Sequence, residues 1–213
     1  MPEKGTVKVG ERGEYLVGCN KAIDETHGPI FSPIYKGKGV RGTVYDVVGV
    51  TDIVTTDGTV RAEAGSVVAT LTTGADGRAT SPELYLGQYQ LIEKSVPSGF
   101  VLDENPIPFE LTYADQNTAI VMEYEWHEND RQKALVKLYK DAETVENQTY
   151  NPYPDILFGL YTATEFVNSK GEVVLEKDAL LEIITLDETG VGTIQSDLPF
   201  ATYYVKELAA GNG

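Results

Sequence analysis

The chain has 213 residues, room for one large or two modest domains, and its 33 acidic against 17 basic side chains give a formal charge of −16. That charge repels phosphate backbones and anionic surfaces, so nucleic acid is excluded as an expected partner. No apolar run is long enough to cross a bilayer, and the opening MPEKGTVKV lacks the apolar core of a leader, so neither membrane insertion nor a signal peptide is expected in this segment.

A hydrophobic content of 41% with 13 Tyr and 21 Gly suits a sheet-rich globule, and the single cysteine, Cys19, cannot form an internal disulfide. Residues 6–18 open with Val7 and Val9 alternating toward one face, a first strand. From Cys19 to Val40 the chain is rich in Gly, Pro and Lys, which reads as an excursion with one or two short edge strands. GTVYDVVGV (42–50) is β-branched, Asp57-Gly58 marks a hairpin, and SVVATLTT (66–73) is the next strand. In residues 77–103 Tyr89, Leu91 and Glu93 alternate with Gln88, Gln90 and Ile92, placing a carboxylate on an apolar face. The turn Pro97-Ser98-Gly99 follows. PIPFELTY (106–113) and TAIVMEYEW (118–126) are further strands joined by the turn ADQN (114–117). Short strands at regular spacing, with no long helical period, predict an all-β antiparallel sandwich.

The polar HENDRQ (127–132) reads as a connector, and KALVKLYK (133–140) opens a second copy. Val44 and Leu157, Gly58 and Gly171, Val60 and Val173, Val67 and Leu180, and Gly77 and Gly190 are each 113 residues apart. Leu84 and Leu198 are 114 apart. The second copy of the central strand carries Tyr203, Val205 and Glu207 on one face. TVKVGE matches LVKLYK only at an offset of 129, which places Glu11 opposite Lys140. The expectation is two tandem antiparallel β-sandwich domains. Residues 1–131 would carry a long insertion after the first strand, and residues 132–213 would lack their final strands.

A V-x-L-x-K first strand, an F-x-L-Y second strand, a D-x-x-G turn and a G-x-Y-x-L-x-E strand followed by P-x-G-F-V-L-D resemble the collagen-binding-protein B-type modules of Gram-positive pilins and adhesins, also called prealbumin-like or SpaA-type. The resemblance is most specific in LYLGQYQLIEKSVPSGFVLD and weaker in residues 10–40. It implies a structural stalk or adhesin module outside the cell and associated with the cell wall. Its partners would be adjacent domains of the parent protein and a protein or glycan on a host or neighbouring cell.

In that family a first-strand lysine attacks an asparagine on the last strand, assisted by the glutamate, to form an intramolecular isopeptide bond. Burial favours both the neutral amine and the protonated acid. The resemblance assigns Glu93 and Glu207 as assisting acids, Lys140 as the second-copy lysine and Asn129 as the first-copy asparagine. The second copy shows no asparagine strand, so Lys140 and Glu207 are expected to face the core as a Lys-Glu pair. Glu11 occupies the first-copy lysine position, which leaves Lys21 and Lys8 as alternatives.

Cys19 with His27 or His127 shows no nucleophile signature and reads as a structural cysteine. Two histidines without ligand spacing, and no calcium-loop pattern, predict neither metal nor cofactor. Met122, Tyr124 and Trp126 read as strand-face packing. The runner-up function is a carbohydrate- or protein-ligand-binding β-sandwich using Trp126 or Tyr35, and an enzyme beyond self-catalysed cross-linking is not expected.

Overall fold

The computed structural model describes residues 4–115, 118, 121–141 and 150–210. Half of the expected ADQN turn, Gln116 and Asn117, lies outside them. The chain forms two compact units, one of Met1–Glu14 and Gly37–Arg131, the other of Tyr15–Lys36 and Gln132–Gly213. Apart from a 3-10 turn at Tyr153–Asp155, the regular structure among the described residues is all strand.

Strands β1 (Lys4–Asp24) and β2 (Gly28–Gly39) contribute to both units. The first unit continues with β3 (Val44–Gly49), β4 (Ile53–Val54), β5 (Val60–Ala62), β6 (Val67–Thr72), β7 (Arg78–Thr80), β8 (Leu84–Tyr85), β9 (Gly87–Ser95), β10 (Ile107–Leu111) and β11 (Val121–Asn129). One sheet runs β10-β9-β3-β6, wholly antiparallel. In the other, β1 takes β7 and β8 antiparallel along one edge. Along its second edge β1 pairs in parallel with β11, from Gly5↔Val121 to Gly13↔Asn129.

Strict alternation turns Val7 and Val9 of β1 toward Tyr45 and Val47 of β3 and Tyr89 and Leu91 of β9, all at most 2% exposed. Each such side chain contributes about 1.5–3 kcal/mol of transfer free energy. Glu93 continues the Tyr89-Leu91 face, as the alternation predicts, and is 3% exposed.

The second unit is built from β12 (Lys133–Ala134), β13 (Lys137–Tyr139), β14 (Leu157–Thr162), β15 (Phe166–Val167), β16 (Val173–Leu175), β17 (Leu180–Thr185), β18 (Val191–Thr193), β19 (Leu198–Pro199) and β20 (Tyr203–Ala209). Its sheet order β17-β14-β20 repeats β6-β3-β9. The starts of β3 and β14, β5 and β16, β6 and β17, and β7 and β18 are each 113 residues apart. The pairing register repeats as well. Lys8 lies opposite Thr80 and Lys137 opposite Thr193, and the Glu11 N–H donates to Gly77 O (2.7 Å) as the Lys140 N–H does to Gly190 O (2.9 Å). Glu11 and Lys140 are therefore structural equivalents.

Three features differ from the sequence expectations. The stretch from Cys19 to Val40 is no loose excursion: β1 runs 21 residues to Asp24, whose Oδ1 accepts the N–H groups of Thr26 and His27 in a tight turn, and β2 returns for 12 residues. Pro29 and Pro33 are tolerated because β2 is the last strand of its sheet order. Residues 15–36, expected within the first domain of 1–131, count with the second unit, where Leu16, Cys19 and Phe31 pack against the core of Phe158, Leu160 and Ile184.

The HENDRQ connector is also partly interior. Polar residues there satisfy buried partners instead of marking a solvated hinge: His127–Asn129 belong to β11, and Asn129 and Arg131 are 6% and 7% exposed.

Candidate functional site

At one end of the first unit's sandwich, polar side chains replace the apolar core. In β1–β11 pairing Glu11 is opposite His127, and in β3–β9 pairing Tyr45 is opposite Glu93. Alternation sends all four side chains into the space between the sheets. Glu11 and Tyr45 are 0% exposed. The Tyr45 hydroxyl donates a hydrogen bond to Glu11 Oε2 and lies 3.1 Å from His127 Nδ1. His127 Nδ1 is 3.3 Å from Glu11 Oε2 and 3.6 Å from Glu93 Oε1, and its Nε2 is 3.1 Å from Asp103 Oδ2. Glu93 accepts the Asn129 Nδ2–H at Oε1 (2.8 Å) and the Asp103 backbone N–H at Oε2 (2.7 Å).

Burial raises the Glu93 carboxyl above the usual carboxylate range, only partly offset by the donors from Asp103 and Asn129. The bond to Glu11, with that to Asp103, carries the His127 imidazole up to about 9 against the effect of burial. Burial and the acceptor Glu11 push the Tyr45 phenol up. The N–H of Asn105 and the His127 ring hold Asp103 down. These contacts favour the charged imidazole between the carboxylates.

Glu93 and Asn129 are thus brought together as the resemblance implies, but the group facing them from β1 is the carboxylate of Glu11. Lys8 points to the other face of β1 and lines a surface pocket of about 490 Å³ with Asp76, Arg78, Thr80 and Tyr124. Lys21 is exposed and belongs to the second unit. In that unit Lys140 Nζ lies 3.2 Å from Glu207 Oε2. Their side chains are 35% and 38% exposed, against 1% for Glu93, so the expected core-facing pair is half open. The reason is local: in the first unit β11 covers the acid, whereas among the described residues no strand runs beside β13 on the side away from β18. Phe158 pairs with Glu207 where Tyr45 pairs with Glu93, so the second unit also lacks the phenol.

Sequence reasoning missed Tyr45, Asp103 and His127. The signal available was the inward phase of β11, in which Glu123, Glu125, His127 and Asn129 alternate with exposed Met122, Tyr124, Trp126 and Glu128. Cys19, its thiol pushed up by burial, packs against the second unit's core, and His27 Nδ1 bonds Asp24 at 2.9 Å.

A sandwich in which β1 pairs in parallel with the last strand and faces a wholly antiparallel sheet is an all-β, prealbumin-like arrangement. Residues 36–126 match the SpaA family, described as a prealbumin-like fold domain. No curated protein matches the sequence. Similar solved structures include the Bacillus anthracis TIE protein, with 14% identity, 98% of this chain and 46% of that one covered, and a TM-score of 0.49. BcpA, the major pilin subunit of Bacillus cereus, shows 14% identity, coverage of 91% and 53%, and a TM-score of 0.39. The full-length major pilin SpaD from Corynebacterium diphtheriae shows 13% identity, coverage of 96% and 57%, and a TM-score of 0.39. The chain therefore spans about half the length of these structures.

Proposed function

We propose that this chain is a structural module of a Gram-positive pilus or surface adhesin, working outside the cell in association with the cell wall and in series with neighbouring domains of its parent protein. The observation that carries the reading is the SpaA-domain match over residues 36–126. The repeated strand order and register in 132–213 support a second domain of the same kind. Its role would be to bear load and to present a protein or glycan contact to another cell, with no turnover chemistry beyond its own cross-linking.

The cross-link belongs to the second unit. Lys140 and Glu207 are already 3.2 Å apart, and an asparagine on a strand laid beside Lys133–Tyr139 would receive the lysine amine, form the amide and release ammonia. Glu207 would carry the proton and polarise the side-chain amide. The first unit would make no such bond, because Glu11 stands where the amine would be. Intact-mass spectrometry tests both statements. The 213-residue chain should show its sequence mass, and a version extended by an Asn-bearing strand should lose one ammonia, about 17 Da, through the amine's attack on the amide. Glu207→Ala should abolish that loss. An ammonia loss in the unextended chain that persists in Lys140→Ala, or no loss in the extended chain, would overturn the assignment.

A second reading, binding of a glycan or protein on the outer face of β11, is favoured by one cluster. Tyr124 and Trp126 meet edge to face at 5.2 Å, and Arg78 lies 5.6 Å over the indole. The Trp126 ring closes over Gly10, where a Cβ would meet it at 2.5 Å. Glycan-array binding abolished by Trp126→Ala would support it.

A further inference from the structure

We propose that Glu11, Glu93 and His127 form a buried site for a divalent transition metal, zinc in the first instance, within the first unit. One ligand atom from each of the three lies within 4.8 Å of the others. Zinc bonds of about 2.1 Å in a tetrahedron separate neighbouring ligand atoms by about 3.4 Å. His127 Nδ1 is 3.3 Å from Glu11 Oε2 and 3.6 Å from Glu93 Oε1, so the two separations from the imidazole already match the edge length of such a tetrahedron. A water, or the Tyr45 hydroxyl once released from Glu11 Oε2, takes the fourth corner. An imidazole with two carboxylates suits zinc and its first-row neighbours better than magnesium or calcium, which take all-oxygen sites.

Two further observations point to a ligand. Glu11 Oε1 is fully buried without a hydrogen-bond partner, an orphaned acceptor in a place that otherwise pairs its polar atoms. The outer contacts are those that orient metal ligands. Asp103 Oδ2 takes the Nε2–H of His127, leaving Nδ1 to coordinate, while Asn129 and the Asp103 N–H fix the Glu93 carboxylate. Charge gives the same answer. Two carboxylates at 0% and 3% exposure have ion pairs with His127 alone among the described residues, and a divalent cation compensates both.

The test uses the full chain, stripped with a chelator and titrated with Zn²⁺ by calorimetry, with Co²⁺ as a spectroscopic stand-in. The expected result is one equivalent bound, the intense visible bands of tetrahedral cobalt, and a zinc X-ray absorption spectrum fitting one imidazole and otherwise oxygen. Glu11→Gln and His127→Gln should weaken binding more than about 100-fold, and Asp103→Asn, one contact removed from the metal, about 10- to 100-fold. His27→Gln, at the exposed β1–β2 turn, should change nothing. Circular dichroism identifies any variant that fails to fold, in which case the wild-type absorption spectrum decides. No binding by the folded wild-type chain, a metal shell without imidazole, or binding that survives Glu11→Gln and His127→Gln but not His27→Gln would overturn the proposal.

Discussion

Raising the pH of the chelator-treated protein from 6 to 10 should destabilise its first unit, through His127. The ring faces Glu11 from β1, Tyr45 from β3, Glu93 from β9 and Asp103 from the segment after β9, and its imidazole is held up to about 9 against an ordinary 6.5. The folded state keeps this proton better than the unfolded chain does. The stabilisation is therefore complete below pH 6.5 and is lost as pH climbs through 9. A shift of that size corresponds to at most about 3–4 kcal/mol, and the 13% exposure of the side chain brings it toward about 2 kcal/mol through solvent screening. Glu93 has the same sign: its raised carboxyl ionises less readily in the folded state, so stability already falls as pH leaves the ordinary carboxylate range.

Urea unfolding followed by the fluorescence of Trp126, the single tryptophan, reports on this unit. The midpoint should fall steadily between pH 6.5 and 9 in the wild type and stay nearly level over that interval in His127→Gln. An NMR titration placing His127 near 6.5, or equal pH slopes in the two proteins, would refute the reasoning.

Leu91→Ala removes a side chain that is 0% exposed at the centre of the first core and should cost about 2–5 kcal/mol in the same assay. Gly77 holds φ +77°, and a Cβ there would stand 2.3 Å from Glu11 O. Gly77→Ala should therefore cost more than about 1 kcal/mol and also lower the His127 titration midpoint by displacing Glu11, which an NMR titration would show. Lys140→Ala breaks a half-exposed ion pair in the unextended chain and should change stability by less than about 1 kcal/mol in urea, in contrast to its complete block of cross-linking in the extended one.

The all-β class, the repeat and the equivalence of Glu11 with Lys140 were legible in the sequence. A period of two and a constant 113-residue spacing are properties of the covalent chain, and they reappear strand by strand in the pairing registers. The inward Glu93 was legible for the same reason, since Tyr89 and Leu91 on its face leave the carboxylate nowhere else to point. What surrounds that carboxylate was decided by tertiary structure. His127 sits in a run as polar as any linker, and only the parallel seam of β11 against β1, a pairing between residues more than a hundred apart in sequence, turns its ring inward opposite Glu11. Tyr45 and Asp103 arrive from two further segments, so no local spacing announces the cluster. The fate of the stretch from Cys19 was hidden likewise: Pro and Gly made it look like loop, but its backbone groups pair within a long hairpin, and Cys19 and Phe31 pack against the second core. The exposure of Lys140 and Glu207 depends on what lies beside β13, a neighbour relation that the alternation of residues along the strand does not encode.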